Sequence, residues 1–300
     1  MRKTPLLLAL ALASAGCKTV VANAAAGAVS GSGGTYASDG DPELIRAASP
    51  FGLKTMEGLL QTVPENADLL RGLTSGFTQY AWAFPLQDAD QAELAGRSAE
   101  AKAQRERARK LFLRARDYGL RGLQLRHPGL PDRLREARDL DAALAAAGKE
   151  DVPLLYWTAG AWALAIANGK GDMQLVAELP VPVAMMRRGL ALDEAFDGGA
   201  FHEFFVTWDG SRSEAEGGGV AKARAHLDRA LELSDGKKLG VLVNWAETVL
   251  VQKQDRAEFV RTLERVLAFD VDSAPQYRLA NVLAQRRARA LLDHADDLFA

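Results

Sequence analysis

The sequence predicts an all-α fold built from antiparallel helix pairs, and three observations carry that expectation. A helix ending recurs: Leu59, Leu123, Leu190, Leu231 and Leu267 each follow a short side chain, and each passage closes within a few residues on Asp, Ser or Pro. Apolar residues elsewhere recur every three to four positions, the spacing that puts them on one face of a helix. Alternating β-branched runs, the mark of half-buried strands, are absent.

The five leucines stand 64, 67, 41 and 36 residues apart. A tetratricopeptide repeat has a period of about 34 residues. The last two steps are thus single padded repeats and the first two are roughly double ones. Each repeat buries its face only by stacking on a neighbour, so the expected product is a TPR-like, solenoid-type bundle.

The chain opens with Met1-Arg2-Lys3, the apolar run Leu6–Ala13, and small residues leading to Cys17. A charged head, a short apolar segment and a small-residue cleavage site form a secretory signal, too short to span a bilayer. Cys17 is the single cysteine and stands where a bacterial lipoprotein signal places its lipidated thiol, although Ser14 replaces the usual leucine. A plain signal peptide with an incidental cysteine is the alternative. Lysine rather than aspartate at position 18 fits the periplasmic face of the outer membrane of a Gram-negative cell. The predicted organisation is a signal peptide at 1–16, a flexible Gly/Ala/Ser tether at 17–38 and a single helical domain at 39–300. Without a second cysteine, the domain has no disulfide to stabilise it.

The folded part starts at Asp39-Gly40-Asp41-Pro42, an N-cap followed by proline in the first turn. The first helix runs to about Val63 with Leu44, Ile45, Ala48, Phe51, Thr55 and Leu59 near helical spacing. Pro64-Glu65-Asn66 breaks it and caps the next, which carries Leu69 to Phe84; a polar segment with a short helix follows to Ala101. From Ala101 to Arg126 an apolar stripe, including Ala108, Phe112, Ala115 and Gly119, opposes a basic face of Arg105, Arg107, Arg109, Arg114 and Arg116. That face reads either as an anion-binding strip or as a solvated surface with acids nearby. A short helix is expected over Asp132–Ala147. Asp151 and Pro153 then open a helix that is apolar nearly all round, hence central. Helices follow through Met173, from Pro180 to Asp193, and from Ala200 to Trp208. After the Gly-rich excursion 210–219 come helices at 220–234, 239–251 and 257–269, and a long capping helix at 274–299.

Catalytic and metal motifs fail on inspection. His202-Glu203 lacks the second histidine that a zinc-binding His-Glu-x-x-His helix needs, since position 206 is valine. No Gly-x-Ser-x-Gly elbow lies in the folded region. Neither an enzyme nor a cofactor is expected, and a net charge of -2 gives no ground for nucleic acid. Aromatics make up 7% of the chain but cluster. Tyr80, Tyr156, Trp157 and Trp245 travel with the polar groups Gln79, His202, Glu203, Asn244 and Glu247, so these residues form a candidate ligand-binding set. The last helix adds Arg286 or Arg287, one of which must face inward. A buried arginine needs a partner, and Glu203, Glu247 or an anionic ligand would serve.

The phrases Ser75-Gly76-Phe77-Thr78-Gln79-Tyr80-Ala81, Asp151–Trp157, His202-Glu203-Phe204, Gln254–Phe259 and Leu279–Ala288 resemble the TatT family, the TPR-containing periplasmic lipoproteins associated with TRAP transporters. The resemblance spans about Ser38 to Phe299. It implies an all-helical, non-enzymatic protein that associates with a TRAP solute-binding subunit and handles a hydrophobic or carboxylate-bearing ligand. A homo-oligomer is compatible with it. The alternative is a TPR lipoprotein that supports envelope or polymer-export machinery and holds no small molecule.

Overall fold

The computed structural model describes residues 22–23, 25–27 and 33–299; the signal peptide, Cys17 and much of the tether lie outside them. Among the described residues the chain is helical throughout, with no strand. Helix α1 (Pro42–Thr62) is capped by Asp41, whose carboxylate accepts the N–H groups of Glu43 and Leu44. α2 (Ala67–Ala81) is capped in the same way by Asn66. It runs without a break into a π-helical turn, Trp82–Leu86, and then α3 (Gln87–Leu94). The turn contains Pro85, which has no N–H for the α-helical ladder and so accommodates a wider spacing.

α4 (Ser98–Arg126) is the longest helix, at 29 residues. The short α5 (Leu130–Glu136) and α6 (Leu140–Leu144) replace the single helix expected there, because Ala137 and Asp139 take positive φ between them. α7 (Val152–Ala167) is the central helix its composition predicts, with Leu155, Ala159, Ala161 and Trp162 all nearly inaccessible. Asp151 serves it differently from a simple cap. The carboxylate is fully buried and receives the Gly148 N–H, His127 Nε2 and the Arg126 guanidinium. It therefore ties the end of α4 to the start of α7.

Next come α8 (Met173–Ala177), α9 (Pro180–Leu192), α10 (Ala200–Gly210) and α11 (Val220–Leu233). α12 (Gly240–Trp245) continues into a second π-helical turn, Ala246–Leu250. α13 (Arg256–Ala268) and α14 (Arg278–Asp293) complete the order before a last short turn, Ala295–Leu298. Successive long helices pack on one another: α1 on α2, α2 on α4, α4 on α7, α7 on α9, and α10 on both α11 and α12.

The C-terminal helix departs from the expectation of a long cap on an open end. α14 has 16 residues and packs on α13, α12 and also α1. Leu283 joins Ile45, Ala83 and Phe84 in one apolar cluster, while Ala284, Ala288 and Leu291 face the core formed by Trp245, Phe259 and Leu263. Arg278 donates to the Ser38 carbonyl at 2.8 Å, and Arg286 pairs with Glu43 at 2.7 Å. The last helix thus closes the succession of helices back onto the first.

α1 also turns the face its spacing predicts: of the expected stripe Ile45 is buried and Leu59 packs on the core, while Leu44 and Phe51 face outward. Its buried stripe is Ile45, Leu53, Glu57 and Leu60, whereas Leu44 and Phe51 are 56% and 79% exposed. Buried Glu57 is neutralised by Lys54 and Arg114 and accepts the Tyr118 hydroxyl at 2.7 Å. The other α4 arginines likewise meet partners: Arg105 pairs with Asp90 and Glu93, Arg109 with Glu106, and Arg116 with Glu178, while Arg107 donates to the Tyr80 hydroxyl. This basic face is held by acids and one phenol of the same molecule.

Candidate functional site

A polar seam crosses the interior where α7, α10, α12, α14 and α3 converge. At one end Tyr156 on α7 packs against Trp157, Phe196 and Phe201, with ring centroids 5.0, 5.4 and 5.3 Å away. Next to this aromatic wall is Lys238, whose ammonium lies 3.1 Å from Asp197 and 3.4 Å from Glu203. Burial by itself would push that lysine down, but the Glu203 and Asp197 carboxylates outweigh it and hold the ammonium above the usual lysine range. Burial pushes the Tyr156 phenol up in turn, and the seam's carboxylates add to the effect, so it stays neutral.

From Glu203 the seam passes to Asn244, whose amide lies 3.4 Å from Glu203 Oε1. Glu247 is three residues further along the same helical stretch, inside the π-helical turn. There Arg287 makes a two-pronged pair with the Glu247 carboxylate, at 2.7 and 2.6 Å, and reaches across to Asp90 at 2.8 Å and Gln87 at 3.0 Å. Burial opposes the charge on Arg287, but Glu247 and Asp90 more than compensate and raise its pKa. The seam ends at a cavity of about 200 Å³, where Arg105 and Glu93 join Asp90 beside apolar Leu94 and Leu298. π-helical turns interrupt two of the helices near this path, and such turns concentrate at functional sites.

The structure brings Tyr156, Trp157, Glu203, Asn244, Glu247 and Arg287 together along this seam. Arg287, not Arg286, is the inward arginine, and Glu247 is its partner. Arg286 is largely exposed on Glu43. Gln79 is exposed and returns its amide to the Ser75 carbonyl, while Tyr80 meets Phe84 and Arg107. Trp245 is core, with the Arg224 guanidinium 5.8 Å from its ring centroid. The sequence reading missed Lys238, Asp197, Gln87 and Asp90. Lys238 stands in a Gly-containing turn just before an apolar helix, and that placement was its only signal.

His202 points away from the seam toward α11. Its Nδ1 is 2.7 Å from His226 Nδ1 and its Nε2 is 3.1 Å from Glu194, which Arg229 grips in turn. His226 Nε2 faces Asp209 at 3.5 Å. Arg229 above all, with His202, holds the Glu194 carboxyl down at about 2. Burial pushes both imidazoles below their ordinary 6.5; Glu194 opposes this at His202, and His202 adds to it at His226. On acidification the unfolded chain takes up protons near 6.5 while the folded pair resists, so stability falls as pH drops below that value. Urea midpoints measured between pH 7.5 and 5 are expected to decline, and His226→Gln is expected to flatten the decline. An equal slope in the variant would refute the assignment. Among the described residues no group of three or more His, Cys, Asp or Glu is placed to hold a metal ion.

The profile of a family described as the TRAP transporter T-component matches residues 38–299, essentially the entire helical region. The chain belongs to that family. It is also 27% identical over 272 residues to an uncharacterized protein of Treponema pallidum (strain Nichols), covering 88% of this chain and 82% of the relative. Membership makes this T-component a transporter-associated protein and fits an envelope location. Among its described residues no helix is long and apolar enough to cross a membrane.

Proposed function

We propose that this T-component is a lipid-anchored protein of the periplasmic face of the outer membrane that docks the solute-binding subunit of a TRAP transporter and performs no catalysis. The observation that carries this reading is the family match across the whole helical ring. Lipidation at Cys17 would keep the protein at the membrane while its folded part meets the soluble subunit. Within the ring, the seam at Tyr156, Trp157 and Glu203 is the candidate place for a ligand. Because Lys238 and Arg287 are already paired with carboxylates, the aromatic wall favours a hydrophobic ligand over a carboxylate one.

The same pairing favours a second reading, a scaffold with no small molecule, because a satisfied seam needs no ligand to balance its charge. Two measurements separate the readings. Co-purification with the cognate solute-binding subunit is expected to yield a complex, and its absence would remove the docking proposal. Native mass spectrometry of the purified protein is expected to show a bound apolar species that is lost in Tyr156→Ala; an unliganded mass throughout would leave the scaffold.

A further inference from the structure

We propose that the outward face of α1 rests on a lipid bilayer, positioned there by the short chain that joins the lipidated Cys17 to the α1–α2 junction. The inference rests on the reading of Cys17 as a lipid anchor. Its first observation is the face itself. At 100° per residue, Leu44, Ala47, Ala48, Thr55 and Gly58 all fall within about 60° of Phe51. Phe51 is 79% and Leu44 56% exposed, and they stand two turns apart on the same side. No carboxylate belongs to this sector. Lys54 stands at its edge, bound back to Glu57 at 2.6 Å. A helix that presents an apolar face to its surroundings and its opposite face to a protein core suits the boundary between water and acyl chains.

The second observation is where the anchoring chain arrives. The side-chain oxygen Oδ1 of Asn23 accepts from Asn66 Nδ2 at 2.7 Å, and Asn66 is the cap of α2, just past the end of α1. Ala22 and Ala26 are buried in the same apolar cluster as Leu53, Leu60 and Val63 of α1 and its exit. Cys17 precedes Asn23 by six residues, at most about 22 Å of fully extended chain. α1 itself, with 21 residues, is about 31 Å long. A lipid on Cys17 therefore holds the bilayer within less than one helix length of the C-terminal end of α1. A second copy of the chain or the solute-binding subunit could also cover an apolar face, but no comparable constraint brings either of them to this one.

The test uses the lipidated protein reconstituted in vesicles. Because lipid occupies the thiol of the single native cysteine, Phe51→Cys supplies one site for an environment-sensitive fluorophore, Leu44→Cys a second, and Met173→Cys, at another exposed apolar position, a control. The expected result is flotation with the vesicles, a blue shift at 51 and 44, and loss of most of their emission when the acyl chains carry spin labels, with position 173 unaffected. Flotation with equal responses at 51 and 173, or with none at either, overturns the inference while leaving the anchor intact. Failure to float overturns both. A response at 51 that needs no vesicles and follows protein concentration or added solute-binding subunit also overturns it, and assigns the face to a protein.

Discussion

Replacing Arg287 by alanine is expected to lower the unfolding free energy by about 3 kcal/mol, the scale for breaking one side of a buried ion pair. The guanidinium holds Glu247 on one side and Asp90 and Gln87 on the other, and the side chains of Arg287, Glu247 and Asp90 are each about a quarter exposed. Removing it strands the Glu247 carboxylate and leaves Asp90 with Arg105 alone, in a site that water reaches poorly, so the loss comes from stranded charge more than from the missing contact. Arg287→Lys keeps the charge but gives up the two-pronged geometry, and a smaller loss is expected. In the double variant Arg287→Ala/Glu247→Ala the loss is expected to be less than the sum of the single ones, because each single change strands what the other removes. Urea unfolding of the wild type, Arg287→Ala, Arg287→Lys, Glu247→Ala and the double variant measures this. A loss in Arg287→Ala within about 0.5 kcal/mol, the range of ordinary surface substitutions, would show that the seam does not hold the ring closed.

That result would also speak to what the sequence conceals. The helices were legible because apolar spacing, caps and prolines are local, and nearly every helix lies where its spacing and stops put it. Closure of the ring was not, because it depends on α14 meeting α1 and α3 across some two hundred residues of chain. α1 misled for a more specific reason. Glu57 interrupts its true inner stripe of Ile45, Leu53 and Leu60, while the outer stripe of Leu44, Ala48 and Phe51 looks like an unbroken core. Only the arrival of Lys54, Arg114 and Tyr118 makes Glu57 tolerable inside, and two of those three come from a distant helix. The candidate site was half legible. Aromatic and polar residues on helices announced themselves, but the loop-borne Lys238 and Asp197 had no periodicity to mark them. Asp197 in particular sits at positive φ in a turn, a placement its sequence neighbours do not dictate.

The recurrent helix ending, by contrast, yields a sharper rule from the structure than from its own repetition, and a second large effect tests it. The small residue before the key leucine has a different task in each copy. At Gly58 a Cβ would meet nothing within 4 Å, and at Gly122 it would meet only the far end of Leu154. At Gly189 it would lie 2.2 and 2.4 Å from two atoms of the Phe201 ring. That ring is fully buried and is held by Tyr156 and Phe196, so it has nowhere to go. Gly58→Ala is therefore expected to stabilise the protein by up to about 1 kcal/mol, through helix propensity alone. Gly189→Ala is expected to destabilise it by about 2 to 3 kcal/mol despite the same propensity gain, because overpacking wins. Phe201→Leu by itself opens space and should cost stability, yet combined with Gly189→Ala it is expected to recover part of the loss. Urea midpoints of the single and double variants decide the matter. If Gly189→Ala were as benign as Gly58→Ala, α9 and α10 would not approach as closely as the Phe201 ring requires, and the aromatic wall beside Lys238 would lose its support.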